Sequence, residues 1–294
     1  RPGVRVRLEG IQSKPELNGL EGTLVAFHEE KGRWQVQLDG ETECKLFKGA
    51  SLAWIASAPS EVVLASSAAA SSAEVVTHVG PIFAAIYEDS QQWLLGGEAR
   101  SGLGSSEAAT RPLRRFLEAF LRGKGVSSVV DAGCGHWPSG YQRFVDWSGA
   151  SYVGADVVPF VLDENRAYLE RPSRLAACGL RSARFVAADA CSRELPPADL
   201  LFVKDVLMHL PNLAVATFLR SHVATAEPRY RFVMLVQNRS PLQGVREMVD
   251  IEFGQLLPFD VRDPPFEAPF REVFSWTSDE EKGVYLWEAP SAPT

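Results

Sequence analysis

The chain has 294 residues, 46% apolar and 23% charged, proportions that exclude wholesale disorder, a collagen-like repeat or a long coiled coil and fit about two domains. Its 30 Lys and Arg against 37 Asp and Glu leave a net charge of −7, a poor balance for gripping a phosphate backbone. No run approaches the roughly 20 apolar residues of a membrane span, and four scattered cysteines (Cys44, Cys134, Cys178, Cys191) with no C-x-x-C pair argue against a disulfide framework or a zinc site.

The first elements are short strands split by turns. Val4, Val6 and Leu8 alternate with Arg5 and Arg7, Leu24 and Val25 lead into Phe27, and Trp34, Val36 and Leu38 alternate with Gln35 and Gln37. Period-2 patterning with turns at Glu30-Lys31-Gly32 and Asp39-Gly40 predicts antiparallel hairpins. Five short strands in residues 1–55 predict a small barrel. The pieces PELNG and GRWQV resemble a Src-homology-3-like barrel. That resemblance implies a binding or accessory module, with a protein partner as one possible ligand and a purely structural appendage as the other. Residues 56–73, mostly Ala and Ser, read as a linker or as a poorly capped Ala-rich helix.

Residues 74–294 alternate strand and helix signals. A strand at 126–130 runs into Asp131 and the turn DAGCGHWP, where glycine would let the backbone approach a ligand. A second strand (151–155) ends in Asp156, which can accept from both hydroxyls of a ribose. A third (183–187) leads to Asp189, able to accept from an adenine amino group. A fourth (198–203) ends in Lys204-Asp205. Apolar runs joined by helix-length crossovers predict a parallel sheet, whose ligands bind at the carboxyl ends of the strands. A pyrophosphate would be repelled by so many acids, and Pro138 interrupts the glycine pattern of a nicotinamide fold. Acids instead suit a cofactor without phosphate that ends in a sulfonium and an ammonium, as S-adenosylmethionine does.

The runs VVDAGCGHW, YVGADVV, FVAADA and ADLLFVKDVLMHLPN, preceded by IYEDSQQWLLGGEARSGLGSSEAATRPLRRFL, resemble the successive motifs of class I S-adenosylmethionine-dependent methyltransferases over residues 80–288. The resemblance implies an α/β fold: a Rossmann-like seven-stranded sheet, mostly parallel with the last strand antiparallel. It also implies roles. Asp131, Gly133 and Gly135 would line the methionine part, Asp156 with Val157 the ribose, and Asp189 with Ala190 the adenine. Lys204 would frame the methionine side. Arg100, Ser101, Gly102 and Ser105 would close over the cofactor, Arg100 pairing with its carboxylate. Departures are His136, Trp137 and Pro138 after the glycines. Cys134 reads as a small buried residue.

The catalytic pair read from the sequence is His209 with Asp205. Four residues apart, they would share one face of a helical turn, Asp205 supporting His209 as the base that takes the acceptor's proton. A structural bond from His209 to a backbone carbonyl is the alternative. Tyr87, Trp93, Trp137 and Tyr141 read as aromatic walls of an acceptor pocket or as core. Asn238, Arg246, Asp250 and Glu252 lie in the long segment after the fifth strand (231–238) and read as substrate-side residues. EVFSW and GVYLWE predict a final hairpin.

Lys-Asp-Val-Leu stands where methyltransferases of exocyclic base amines carry Asn/Asp-Pro-Pro-aromatic. The sequence also has no Pro-Cys for attack on a pyrimidine. The expected acceptor is therefore a small molecule taking methyl on O, N or S, with no nucleic acid, membrane or metal involved. The alternatives are a protein methyltransferase that uses the barrel for recruitment, and a cofactor-binding scaffold without catalysis. Reduced thiols point to the cytoplasm or another reducing compartment. The start at Arg1 points to a fragment or a processed form, in which a targeting segment would not be visible.

Overall fold

The structure, a computed structural model, describes residues 5–8, 10–11, 14–28, 33–41, 43–48, 51–54, 72–88, 99–192, 194–239, 244–278 and 280–290. Trp93 and nearly all of the expected linker lie outside them. The chain forms two compact units. One comprises residues 1–63 with 245–250, and the other comprises 64–244 with 251–294.

The small unit is a five-stranded antiparallel sheet of β1 (Arg5–Leu8), β2 (Glu21–His28), β3 (Arg33–Leu38), β4 (Cys44–Phe47) and β5 (Leu52–Trp54), ordered β4-β3-β2-β1-β5. The alternation read from the sequence sets its core. Val6, Leu8, Val36, Leu38, Phe47 and Leu52 are buried, while Arg7 on β1 is exposed and bonds Glu21. Asn18 clips the β1–β2 connection by bonding both backbone groups of Ile11, at 2.9 and 3.0 Å.

The large unit is built on a seven-stranded sheet. Its strands are β6 (Ser128–Ala132), β7 (Ser151–Asp156), β8 (Ser182–Ala187), β9 (Ala198–Lys204), β10 (Tyr230–Asn238), β11 (Arg271–Thr277) and β12 (Glu281–Glu288). Their order across the sheet is β8-β7-β6-β9-β10-β12-β11. The five from β8 to β10 are parallel, and β12 is inserted antiparallel between β10 and β11. This is the mostly parallel, seven-stranded Rossmann-like sheet with its last strand antiparallel that the sequence leads one to expect.

Alternate residues of its central strands feed two apolar cores. Val130, Leu201, Val203, Val233 and Leu235 face one core. Val129, Leu200, Phe202, Phe232 and Met234 face the other. A sheet covered on both faces explains why these strands read as continuous apolar runs.

Helices α1 (Ser72–Glu88), α2 (Glu107–Lys124), α3 (Pro159–Leu169), α4 (Pro172–Ala177) and α5 (Asn212–His222) accompany the sheet. The last two residues of the expected linker, Ser72 and Ala73, therefore open α1. In α2 the buried Leu113, Leu117 and Leu121 recur every four residues. The Ser106 side chain caps its start by accepting from the Ala109 N–H at 3.3 Å, and Gly125 closes its end in the left-handed region. The strand order reverses at β6, with β7 on one side and β9 on the other. Both carboxyl ends therefore open onto one switch-point crevice.

Candidate active site

The crevice has a volume of about 310 Å³ and lies within the large unit. Three successive strand ends supply one side of it. After β6 comes the turn Gly133–Gly135, after β7 Asp156 and Val157, and after β8 Ala188, Asp189 and Ala190. Gly133 has φ +75°, and a Cβ there would come to 2.3 Å of the Val206 Cγ2, so neither the backbone nor the space admits a side chain. Gly135 has φ +60°, and its Cβ would lie 2.7 Å from the Ser101 Oγ.

Asp156 locks this turn. Its Oδ2 accepts from the Gly135 N–H at 3.0 Å and its Oδ1 from the Val158 N–H at 3.1 Å. Burial raises the carboxyl's pKa, with these N–H donors opposing. Burial likewise raises that of Asp189, against donors from Cys191. A carboxylate has about four acceptor positions, so backbone bonds leave Asp156 with capacity for further donors.

The segment upstream of α2 is fastened to the glycine turn. The Ser101 Oγ accepts from the His136 N–H at 2.9 Å and lies 3.1 Å from the Tyr87 hydroxyl. The Arg100 N–H donates to the Ser139 Oγ at 3.0 Å, and Ser139 bonds His136 Nδ1 at 2.7 Å. These bonds bring Ser101–Ser105 and Tyr87 onto the crevice wall. The Arg100 guanidinium, by contrast, pairs with Glu164 on α3 at 2.7 Å, and His136 Nε2 meets the same carboxylate at 2.7 Å. Arg100 is not among the lining residues, so its expected pairing with a cofactor carboxylate is replaced here by an ion pair within the protein.

Other expected residues are also placed away from the crevice. The Asp131 carboxylate is buried beneath it and accepts from the Tyr152 hydroxyl at 2.6 Å, and that hydroxyl accepts from the Trp137 indole N–H at 3.0 Å. Burial pushes the Asp131 carboxyl up to about 7, with Tyr152 and Lys204 opposing and Asp156 reinforcing. Trp137 is fully buried among Trp147, Tyr152 and Phe185 and does not line the crevice. Its large apolar area goes to the core, and its one polar atom is satisfied there. Asn238 is buried at the end of β10, opposite Lys282 of β12, because the final hairpin covers that strand. Arg246 and Asp250 group with the small unit, and of the described residues between β10 and β11 only Leu256 lines the crevice.

The expected Asp205–His209 pair takes a different form. Asp205 has φ +54°, outside helical geometry, so the four-residue spacing does not put both side chains on one helical face. Asp205 instead lies between two buried ammonium groups. Lys204 Nζ is 2.5 Å from its Oδ2, and Lys282 Nζ is 3.1 and 3.2 Å from its two oxygens. Burial alone would raise the Asp205 carboxyl, but the two lysines hold it down at about 2. Burial lowers the Lys204 ammonium, with Asp205 opposing. The half-buried His209 lines the crevice, and its Nδ1 lies 3.0 Å from the Gln255 carbonyl oxygen. That contact requires the proton on Nδ1 and leaves the lone pair of the neutral ring on Nε2.

Lys282, Met208, Gln142 and Glu280 also line the site without having been singled out from the sequence. Lys282 is 77 residues from Asp205 in the chain, and only the hairpin's insertion beside β10 joins them. Cys134 lines the crevice too, but burial raises its thiol well above the ordinary value, as suits a packing residue. Among the described residues, no group of three or more His, Cys, Asp or Glu is placed to hold a metal, and no helix is long and apolar enough to cross a membrane.

No protein-family model and no curated protein matches the chain. Among solved structures it is similar to the N-methyltransferase NodS from Bradyrhizobium japonicum WM9 in complex with S-adenosylhomocysteine, at 14% identity and a TM-score of 0.47, over 72% of this chain and 99% of that one. It is also similar to the magnesium protoporphyrin IX methyltransferase of Synechocystis PCC 6803 with bound S-adenosylmethionine (16%, TM-score 0.42, 73% and 93%). A third is the methyltransferase domain of a bacterial Hen1 (12%, TM-score 0.44, 61% and 99%). At such identities and scores these are likenesses of architecture, and they bear on neither substrate nor mechanism.

Proposed function

We propose that the chain is an S-adenosylmethionine-dependent methyltransferase whose acceptor is a small molecule methylated on O, N or S. The observation that carries the reading is the convergence of the Gly133–Gly135 turn, Asp156 and Asp189 on one crevice from three neighbouring strand ends. The donor set fits an adenosyl group. The buried Asp156 and the half-buried Asp189 at the second and third strand ends accept from ribose hydroxyls and an adenine amino group, and Gly133 and Gly135 in the turn after β6 put no side chain in the way of the methionine part.

Bound there, S-adenosylmethionine supplies a methyl group already activated by its sulfonium. Transfer to the acceptor would leave S-adenosylhomocysteine in the crevice, with the former methyl–sulfur bonding pair on its sulfur. The chain's own work is alignment and exclusion of water. Ser101–Ser105 roof the crevice, held by Tyr87 and the glycine turn. His209, its ring fixed by the Gln255 carbonyl, takes the acceptor's proton on Nε2. Asp205 is a charge partner of two lysines rather than the support of that base.

Calorimetric titration with S-adenosylhomocysteine tests the reading. Saturable binding is expected, and no heat at millimolar ligand would refute it. A screen of metabolite extracts with methyl-labelled cofactor then identifies the acceptor.

A further inference from the structure

The charge of the crevice changes sign across the sheet. At the carboxyl ends of β7 and β8 its charged side chains are Asp156 and Asp189. On the other side of β6, Lys204 ends β9 and Lys282 belongs to β12. These two lysine side chains are only 4% and 5% exposed, yet both line the crevice. One carboxylate, Asp205, serves them both. Two ammonium groups and one carboxylate leave a net charge of about +1 in a site largely shut off from water.

The other groups facing this cluster do not cancel it. The Tyr141 ring lies 5.3 Å from Lys204 Nζ and carries no charge. Glu280 is at the exposed mouth. Asp131 is not among the lining residues, and burial pushes its carboxyl up to about 7, so near neutral pH it offsets only part of the charge. Gly104 roofs the cluster so closely that a Cβ would approach Lys282 Nζ to 3.2 Å. A buried uncompensated cation is costly, and an incoming anion relieves that cost.

Position decides whose anion it is. The glycine turn, ribose acid and adenine acid run from β6 towards β8. The lysines lie in the opposite direction: Lys204 ends β9, on the far side of β6 from β7, and Lys282 reaches from β12 to the same Asp205 carboxylate. They therefore flank the end of the crevice opposite the adenine acid, where the acceptor enters.

Building on the methyltransferase reading, we propose that Lys204 and Lys282, with Asp205 between them, form a subsite for a carboxylate group of the methyl acceptor. A single net positive charge matches a monoanion; a phosphate dianion would leave excess negative charge in the same enclosure. Asp205 keeps the two ammonium groups together, and the carboxylate binds across them.

The test uses protein loaded with S-adenosylhomocysteine and a panel of alkyl and aryl carboxylates, each paired with its primary amide, titrated by calorimetry. Carboxylates should bind at least tenfold more tightly than their amides. Lys282→Gln should weaken carboxylate binding about tenfold, and Lys282→Arg should keep it within about threefold of the unaltered protein. Both variants should bind S-adenosylhomocysteine within about twofold of the unaltered protein and melt cooperatively. Equal binding of acids and amides, no binding of any carboxylate, or a tenfold loss of S-adenosylhomocysteine affinity in Lys282→Gln would overturn the proposal. The last result would assign the lysines to the cofactor's own carboxylate. A protein that binds no S-adenosylhomocysteine would refute the methyltransferase reading separately, and the acid–amide comparison on the unloaded protein would still decide the anion subsite.

Discussion

Asp156→Asn probes the cofactor reading most directly. The carboxylate is buried, and each oxygen already accepts one backbone N–H, from Gly135 at 3.0 Å and Val158 at 3.1 Å. Asparagine has the same shape but only one accepting atom, so its NH₂ must face either a backbone N–H or the ribose hydroxyls. Facing the backbone, it leaves a buried donor unpaired at about 1–3 kcal/mol of stability. Facing the ribose, it forfeits a hydrogen bond to a charged acceptor, about 1.5–3 kcal/mol of binding energy. The second figure corresponds to a rise in Kd of roughly 10- to 150-fold for S-adenosylhomocysteine.

Calorimetry at pH 8 on a variant whose cooperative melt is confirmed by circular dichroism reads that rise. The pH dependence provides an internal check. Burial raises the Asp156 carboxyl, so in the unaltered protein acidification removes an acceptor at a pH above the ordinary carboxylate range, and affinity falls. The variant should lose that pH dependence. A folded Asp156→Asn protein that binds within threefold of the unaltered one would refute the assignment of the ribose to this side chain.

Gly135→Ala should fold with a modest loss of stability, about 1–2 kcal/mol for a left-handed alanine, and should displace Ser101. A drop of more than tenfold in S-adenosylhomocysteine affinity is the expected reading. Asp131 has a folded-state pKa near 7, raised above its unfolded value. The stability it contributes is complete below about pH 4 and is lost as pH rises towards 7. Asp131→Asn should therefore show a smaller fall in chemical-denaturation stability between pH 4 and 8 than the unaltered protein; equal slopes would contradict this.

Asp199 shows the opposite sign. Burial would raise its carboxyl, but Ser127 and Arg231 hold it at about 2. Its contribution, about 1–2 kcal/mol after solvent screening, is present above about pH 4 and lost as pH falls towards 2. Asp199→Asn should lose that much at neutral pH and only a small remainder of it at pH 2. Tyr152→Phe should cost about 2–4 kcal/mol, because it leaves the Asp131 carboxylate and the Trp137 indole N–H without a shared partner. A melt within 1 °C of the unaltered protein would refute that network.

Local pattern determined the scaffold. Apolar runs ending in Asp131, Asp156, Asp189 and Lys204-Asp205, separated by helix-length stretches, specify parallel strands whose carboxyl ends share one rim, because crossovers bring each strand back in the same direction. Gly133 and Gly135 were legible for a similarly local reason: their positive φ angles belong to the turn itself. Asp156, Val157, Asp189, Ala190, Ser101, Gly102, Lys204, Asp205, His209 and Tyr87, picked out from the sequence, all line one crevice.

What a side chain does at that rim depends on partners far away in the chain, and those only the tertiary structure decided. Trp137 goes into the core because Tyr152 waits there for its N–H, and Arg100 turns to Glu164 on α3. Asp205 is taken from His209 by Lys282, which reaches it only because β12 slots between β10 and β11. A spacing of four residues is a statement about a helix, and one left-handed residue annuls it. An ion pair across 77 residues is a statement about sheet order, which no local pattern encodes.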